Sequence, residues 1–404
     1  MTKRARPLEV VVAGAGPVGL LFAARLARGQ SVGRFRIRIV DAQAPGIWRA
    51  QRPDPRVYAL SRESQQLLGD LWQSVAARRV SPYRRMHVWE GAAAGADSSI
   101  TFDAAEIGEP DLGHIVEDSL LRSVLLDDLA RAEVEIAFGS GVEGVEPQRG
   151  AVSVRLSDGT TMTADLVVGA DGTDSRVRAA TGIPTFEKDY RQRAIVTHVA
   201  TEKPHRETAW QRFLPEGPLA FLPLSDGRCS IVWTNSSAVA EELLAMDDAA
   251  FIDALETSSA GVLGKLGPCT ERLAFPLRLT HAIRYTGSGV ALIGDAAHAV
   301  HPLAGQGMNL GFRDAAVLAG ALVEASARGE HPGDERVLRR YERRQKAHNL
   351  GMQLAFDGLN ALFGRRAPRW AAPIRGLGLA VVDRSAPAKR MLMRRALGLD
   401  RALA

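Results

Sequence analysis

The first part of the chain is strongly patterned. Residues 8–13 form a continuous apolar run, residues 20–28 have the apolar period of a helix, and residues 35–40 form a second apolar run. Continuous apolar runs are typical of parallel strands that are buried on both faces. The same order of strand, turn and helix returns at residues 290–323. The pattern therefore predicts an α/β protein with two strand–turn–helix units at opposite ends of the chain.

The middle of the chain is richer in β-like runs. Residues 134–138, 152–156 and 161–164 predict a three-stranded antiparallel sheet beside the main sheet. Longer apolar runs fill residues 190–279, and one helical stretch at 238–255 interrupts them. A sheet with one apolar face packed over a bound molecule would form the roof of a pocket.

The first turn has the spacing GxGxxG, with Gly14, Gly16 and Gly19 around Pro17. Glycines at these places allow a tight turn, close approach of the backbone to a pyrophosphate and close helix packing. The second strand ends at Asp41, whose carboxylate can accept a hydrogen bond from a ribose hydroxyl. The order of strand, helix, strand and acid predicts a dinucleotide site, and a fortuitous glycine turn is the alternative.

The second turn follows a strand that ends at Asp295, where a carboxylate can accept hydrogen bonds from sugar-like hydroxyls. Pro302, Gly305 and Gly307 then interrupt regular structure before the next helix. Glycines in such a loop let a flat ring approach the backbone, and the start of the helix favours negative charge. The turn therefore predicts a second contact with an anionic, ring-bearing ligand, unless it is an ordinary strand-to-helix turn.

Composition narrows the class of protein. A chain of 404 residues suffices for about two to three domain-sized units. Its 46% hydrophobic and 24% charged residues are those of a globular protein and exclude a disordered one. The two cysteines, Cys229 and Cys269, have no CxxC spacing, so we expect neither a disulfide framework nor a zinc site. A reducing, cytoplasmic location follows.

The net charge of +5 is compatible with an anionic cofactor, an anionic membrane surface or nucleic acid. No nucleic-acid-binding motif is recognisable, so we expect no nucleic-acid partner. Residues 10–27 have nearly the length of a membrane span but contain three glycines, a proline and Arg25. A dinucleotide-binding turn explains that stretch better.

The string GDAAHAVHPLAGQGMNLGFRDAA at residues 294–316 resembles the second flavin-contacting segment of class A flavoprotein aromatic hydroxylases. It is most similar to that of the ubiquinone-biosynthesis hydroxylases. GADGTDSRVR at residues 169–178, GPLAFLPL at 217–224 and the basic ending at 387–398 extend the resemblance over nearly the whole chain.

The resemblance implies a doubly wound, Rossmann-like α/β domain that binds FAD, a β-sheet substrate domain and C-terminal helices, as in p-hydroxybenzoate hydroxylase. The implied boundaries are 1–80, 114–188 and 281–360 for the FAD domain, 81–113 and 189–280 for the substrate domain, and 361–404 for basic C-terminal helices.

Further cofactor-binding residues follow from the resemblance. Arg56, in a DxRxxALS context, and Arg122 would lie beside the flavin; a surface arginine and a surface salt bridge are their alternatives. Asp171 and Gly172 would help to position the flavin, unless they form a purely structural turn. The last group, in the loop and helix start that would touch the flavin ring, comprises Pro302, Gly305, Gln306, Gly307, Met308 and Asn309.

Asp295, His298 and His301 are close enough in sequence to suggest a metal site. Pro302 and the glycine loop break the helix that would align them, so we expect no metal. No catalytic side chain is assigned. His301 is the one candidate for lining the active site, with a structural role as its alternative.

The implied chemistry is that of an FAD-dependent monooxygenase. NAD(P)H would bind transiently and reduce the flavin, O2 would form a C4a-hydroperoxide, and that species would hydroxylate a small aromatic substrate, a phenol that bears a polyprenyl chain. The cofactor carries the chemistry, while the protein supplies orientation and excludes water. Two alternatives stay open: another flavoenzyme of the same fold, such as a halogenase or prenyl-chain reductase, and a non-catalytic flavoprotein subunit. The WxWxIP segment of halogenases is absent.

Residues 365–395 are basic and amphipathic. Such helices can lie in an anionic interface. We therefore expect the C-terminal segment to contact the inner membrane peripherally, or a membrane-bound ubiquinone-biosynthesis complex. The alternative is that these helices pack on the flavin domain and keep their arginines in water.

Overall fold

The computed structural model describes residues 6–29, 34–91, 98–299, 306–363 and 385–399. Its helices are α1 (Pro17–Gly29), α2 (Arg62–Leu68), α3 (Leu71–Ala76), α4 (Asp118–Arg131), α5 (Arg176–Ala180), α6 (Ser237–Ala245), α7 (Asp248–Ser259), α8 (Gln306–Ala327), α9 (Glu335–Phe363) and α10 (Ala386–Ala396). Two 3-10 turns span Ala104–Ile107 and Gly294–Ala296.

The strands form four sheets. They are β1 (Leu8–Ala13), β2 (Phe35–Asp41), β3 (Val57–Leu60), β4 (Val80–Tyr83), β5 (Arg85–Glu90), β6 (Ser99–Asp103), β7 (Gly113–Glu117), β8 (Glu135–Phe138), β9 (Val142–Gln148), β10 (Ala151–Leu156), β11 (Thr161–Ala164), β12 (Leu166–Gly169), β13 (Thr185–Thr201), β14 (Thr208–Leu214), β15 (Gly217–Pro223), β16 (Cys229–Ser236), β17 (Leu266–Cys269), β18 (Leu273–Ala282), β19 (Thr286–Gly287), β20 (Val290–Leu292) and β21 (His298–Ala299).

A six-stranded sheet in the order β19-β20-β12-β1-β2-β8 forms the first layer. All of its pairings are parallel except that of the edge strand β19. Helices α4 and α8 pack against α1, and the strands β1 and β12 are almost completely buried. This is the doubly wound, Rossmann-like layer that the sequence predicts.

The predicted small antiparallel sheet is present, but with one different strand. It has the order β11-β10-β9, so residues 142–148 supply its third strand. The predicted strand at 134–138 instead joins the parallel sheet, where β8 pairs with β2. Its apolar residues fit either edge equally well, and only the chain's path decides between them.

A nine-stranded sheet in the order β21-β18-β13-β16-β15-β14-β5-β6, with β17 beside β13, forms the second layer. One of its faces packs on α6 and α7 through Phe221, Ile231, Trp233, Phe251 and Leu255. The predicted single helix at 238–255 is therefore wrong: Met246 is extended, and Asp247 caps α7 by accepting a hydrogen bond from the backbone N–H of Ala250 at 2.8 Å.

A three-stranded sheet, β3-β7-β4, connects the two layers. Helix α10 packs on the 3-10 turn at Ala104–Ile107, where Met393 and Leu397 join an apolar cluster. The Nζ of Lys389 donates to an Oε atom of Glu106 at 2.8 Å. Within the described ranges, no helix is long and apolar enough to cross a membrane.

Candidate active site and flavin-binding cavity

A cavity of about 2020 Å³ lies between the two layers. Its lining runs from the glycine turn after β1, past Asp295, to the inward face of the nine-stranded sheet. The predicted residues that line it are Gly14, Gly16, Pro17, Asp41, Arg56, Arg122, Asp171, Gly172, Asp295, Gly307 and Met308. The fold thus brings residues from both ends of the chain to one site.

The three glycines of the first turn have different surroundings. Gly14 has a φ of +107°, and a Cβ there would lie 2.3 Å from the carbonyl oxygen of Ala170. A Cβ on Gly19 would lie 2.2 Å from the carbonyl oxygen of Gly14. A Cβ on Gly16 would meet no protein atom within 4 Å. Gly14 and Gly19 therefore allow the turn to pack, and Gly16 leaves bare backbone facing the cavity.

Asp41, at the end of β2, holds the same turn. Its Oδ2 accepts from the backbone N–H of Ala15 at 2.7 Å, and its Oδ1 accepts from that of Gln43 at 2.9 Å. A carboxylate oxygen has more than one lone pair, so each can also accept from a ribose hydroxyl.

Two arginines line the cavity near this turn. The Nε of Arg122 lies 2.8 Å from Asp118, and its Nη1 lies 3.4 Å from the carbonyl oxygen of Ala15. Arg122 therefore makes an ion pair with Asp118, but both side chains are mostly buried, so this is not the surface salt bridge considered as its alternative. The pair holds the guanidinium at the cavity wall. The guanidinium of Arg56 lies over the ring of Phe275, 4.9 Å from its centroid, so it contacts the roof sheet.

Asp171 follows β12 and caps the short helix α5. Its Oδ1 accepts from the hydroxyl of Ser175 at 2.6 Å, and its Oδ2 accepts from the backbone N–H groups of Arg176 and Val177 at 2.7 and 3.1 Å. Asp171 therefore has the structural role in this turn that the sequence analysis considered as its alternative. Gly172 has a φ of +80° and open space around its missing Cβ, so it leaves backbone facing the cavity.

Asp295 begins the second turn, within the 3-10 turn after β20. Asp295 lines the cavity and is exposed to the open space there. Burial raises the pKa of Asp295, and the positive charges of His298 and Arg56 oppose that shift. A hydroxyl-bearing ligand would stabilise this carboxylate by donating hydrogen bonds to it.

His298 holds the second turn in place and does not line the cavity. Its Nε2 lies 2.5 Å from Oδ2 of Asp314, which also accepts from the backbone N–H of Gly294 at 3.0 Å. Asn349 on α9 donates to the other oxygen of Asp314 at 2.9 Å. Burial disfavours the charged ring, but Asp314 outweighs it and raises the pKa of His298. No group of metal-ligating side chains occurs among the described residues.

Asn309 is not directed at the cavity. Its Oδ1 accepts from the backbone N–H of Ser61 at 2.9 Å and the hydroxyl of Ser64 at 2.6 Å, and its Nδ2 donates to the carbonyl oxygen of Ala59 at 3.0 Å. Its carboxamide therefore joins α8 to β3 and α2. Contact between Asn309 and the flavin stays a prediction. His301, Pro302 and Gly305 lie outside the described residues, as does the side chain of Gln306.

These residues fit an extended FAD. Bare backbone at Gly16 and the guanidinium of Arg122 suit a pyrophosphate, Asp41 suits a ribose, and Asp295 suits the hydroxyls of the ribityl chain. When bound, FAD supplies the redox chemistry, which consumes NAD(P)H and O2. The chain's part is to hold and orient the ring and to exclude water.

Comparison with known proteins agrees with this geometry. Residues 7–353 match the family described as FAD binding domain. The chain is 36% identical over 398 residues to 3-demethoxyubiquinol 3-hydroxylase of Escherichia coli strain K12, covering 98% of this chain and 99% of that one. It is 38% identical over 395 residues to ubiquinone hydroxylase UbiL of Rhodospirillum rubrum, covering 96% and 89%. The fold is similar to that of p-nitrophenol 4-monooxygenase PnpA from Pseudomonas putida, with a TM-score of 0.79, 19% identity and coverage of 98% and 99%.

The chain is therefore an FAD-dependent aromatic-ring monooxygenase. Within that class it belongs to the family of the ubiquinone-biosynthesis hydroxylases.

Sequence reasoning missed the polar residues of the cavity roof. Gln211, Ser230 and Thr234 line the cavity from β14 and β16. The signal was present in the alternation of these strands, where every second residue shares a face. It could not show which of the two faces meets the cavity.

Proposed function

We propose that the protein hydroxylates the ring of an uncharged phenol that carries a long apolar chain, as a step of ubiquinone biosynthesis. The observation that carries the proposal is the roof of the cavity. Apolar side chains dominate the inward faces of β5, β6 and β13–β16, and none of the roof residues on these strands is charged: Met86, Val88, Ile100, Phe102, Ala194, Val196, Ala209, Gln211, Phe213, Pro218, Ala220, Leu222, Ser230, Val232 and Thr234.

Such a surface favours an apolar ligand, since burial of apolar surface stabilises the complex by about 25 cal/mol per Å². Next to these strands a carboxylated ring is disfavoured, because the cations that line the cavity, among them Arg56 and Arg278, lie on other elements, and a buried carboxylate without a cationic partner is strongly penalised. The names of the relatives support the same choice, because they include a demethoxyubiquinol hydroxylase and a ubiquinone hydroxylase.

We further propose that Gly16, Asp41, Arg122 and Asp295 contact FAD along its length, with Arg56 beside the flavin ring. Their positions around one cavity support this assignment. His298, Asp314 and Asn309 then act as positioning residues for the second turn and helix α8.

The test is NAD(P)H oxidation by the FAD-loaded protein with a series of phenols that differ only in alkyl chain length. We expect oxidation to be stimulated by the phenols, kcat/KM to rise with chain length, and the product to contain one oxygen atom from labelled O2. A carboxylated phenol of the same size is the control and should give little product. Flavin reduction without hydroxylated product would contradict the proposed substrate.

We also propose that the C-terminal segment brings the protein to an anionic membrane or to a membrane-bound partner. Residues 365–384 of that segment lie outside the described residues, and helix α10 supports the proposal. Met391 and Leu392 are 61% and 44% exposed on α10, beside Arg390, Arg394 and Arg395. Leu392 also lines the cavity, so an apolar chain could pass there from the surface to the ring site.

A further inference from the structure

The inward faces of β14 and β16 carry three polar side chains in an otherwise apolar roof: Gln211, Ser230 and Thr234. Gln211 on β14 is 7% exposed and lines the cavity. Ser230 on β16 is fully buried, and its Oγ has no hydrogen-bond partner among the described residues. Nearly all buried polar groups in native proteins are hydrogen-bonded, so polar groups in this apolar roof favour a ligand that hydrogen-bonds to them.

The register places Gln211 and Ser230 on either side of an apolar strip. Gln211 pairs with Ala220 on β15, and Ala220 pairs with Val232 on β16, two residues from Ser230. Gln211 and Ser230 are thus two strands and two residues apart, which corresponds to about 12 Å between their backbones. That gap accommodates one aromatic ring with a hydrogen bond at each side.

We propose that the Gln211 carboxamide and the Ser230 hydroxyl are the two hydrogen-bonding points that orient the substrate ring. The inference rests on the proposed function and specifies its substrate as an uncharged ring with oxygen substituents. The carboxamide can donate to a methoxy or carbonyl oxygen or accept from a hydroxyl, and the serine hydroxyl can do both. The apolar strip between them contacts the ring face.

This arrangement selects against two kinds of ligand. A ring without oxygen substituents would leave both polar groups buried and unpaired, which a site of this kind rejects strongly. A carboxylated ring would bring a charge to two neutral groups on β14 and β16, strands that place no cation on the cavity face. Gln211 and Ser230 thus supply the polar part of specificity, and the rest of the roof supplies the apolar part.

The test uses the FAD-loaded protein with Gln211→Leu, Ser230→Ala and the double substitution. Leu approximates the volume of Gln but has no hydrogen-bonding group. We expect about tenfold weaker binding of an alkylated methoxyphenol for Gln211→Leu, and a smaller loss for Ser230→Ala. Hydrogen peroxide released per NAD(P)H consumed should rise in both, because a misoriented ring is not hydroxylated. FAD retention should not change.

Thr197→Val is the matched control. Thr197 lies on β13 of the same sheet, but its hydroxyl donates to the carbonyl oxygen of Thr270 at 2.9 Å rather than facing the cavity. This substitution should lower thermal stability and leave phenol binding unchanged. For a phenol that lacks the methoxy group, the difference in affinity between wild type and Gln211→Leu should be smaller.

Binding is measured by calorimetry without NAD(P)H, so the result does not depend on turnover. Equal phenol affinity and equal coupling in wild type and Gln211→Leu would overturn the assignment of Gln211, even if wild type hydroxylates phenols. If wild type binds phenols through Gln211 but forms no hydroxylated product, the proposed reaction fails and the binding assignment stands.

Discussion

At the scale of single residues, the glycines of the first turn show what a motif can and cannot predict. The spacing correctly places Gly14 and Gly16 between β1 and α1, whereas Gly19 lies in the first turn of α1. It does not distinguish the glycines that the fold requires from the one that leaves room for a ligand, because that depends on the distant Ala170. The structure separates their roles, and the separation can be tested.

We expect Gly16→Val to give a folded protein that does not retain FAD. No protein atom lies within 4 Å of the added Cβ, so only the bound pyrophosphate would be displaced. Gly14→Val should instead prevent folding, because its Cβ would clash with the backbone of Ala170. Visible flavin absorbance and circular dichroism of the two purified variants measure these effects. A yellow Gly16→Val protein would contradict the assignment of Gly16.

Asp295 leads to a second prediction at this scale. Burial raises the pKa of Asp295 above that of the unfolded chain, so the folded protein binds more protons and its stability falls as pH rises through this window. At neutral pH the charged carboxylate therefore destabilises the FAD-free protein, but only slightly, because Asp295 is open to the cavity. Asp295→Asn should raise the melting temperature of that form and weaken FAD retention. A variant that loses FAD but gains no stability would contradict the electrostatic part of this argument.

At the scale of elements, the sequence predicts the order of strands and helices well and their partners less well. The spacing of the apolar residues predicts β1, α1, β2 and α8, because each of these elements buries its apolar residues within the same layer of sheet and helices. It could not predict that β8 joins the parallel sheet, or that Asn309 faces β3 and α2, because these depend on segments far apart in the chain.

The contact between the second turn, α8 and α9 is the element-scale feature most open to test. Asp314 raises the pKa of His298 above its ordinary value of about 6.5, so the stability from this pair is fully present below that pH and is lost as pH rises through the folded pKa. Replacing His298 by Gln should remove this dependence. We expect the difference in melting temperature between wild type and variant to shrink at alkaline pH.

Asp165→Asn is a control for general effects of lost ion pairs, since Asp165 pairs with Arg6 at 2.7 Å in another part of the molecule. The partners of Asp165 hold its pKa below the ordinary value, so its contribution is lost at acid pH instead. The two variants should therefore diverge from wild type at opposite ends of the pH range. The same pH trend in both would contradict the assigned role of His298.

At the scale of the whole molecule, the cavity depends on parts that no single motif contains. The glycine turn, the roof sheet and α10 come from separate regions of the sequence. The motifs predicted the flavin side, while the polar pair Gln211 and Ser230 required the assembled sheet. The basic C-terminal ending predicted a surface helix, but not that Lys389 is 6% exposed and pairs with Glu106.

Membrane docking gives the last prediction. Lys389, Met393 and Leu397 attach α10 to the protein, so the residues left to meet a bilayer are Met391 and Leu392 with the flanking arginines. Each basic residue near an anionic surface adds about 1 kcal/mol, and the two apolar side chains would insert beside them. Replacing both Met391 and Leu392 by Ser should reduce flotation with anionic vesicles at low salt and leave the melting temperature nearly unchanged.

Phe186→Ser is the matched control, since Phe186 is a large apolar side chain that is 57% exposed on β13. It should float as wild type does. Neutral vesicles should bind all three proteins weakly, because the arginines contribute only on an anionic surface. If wild type floats and the double variant floats equally well, α10 is not the contact, and the apolar chain of the substrate must enter the cavity without help from Met391 and Leu392.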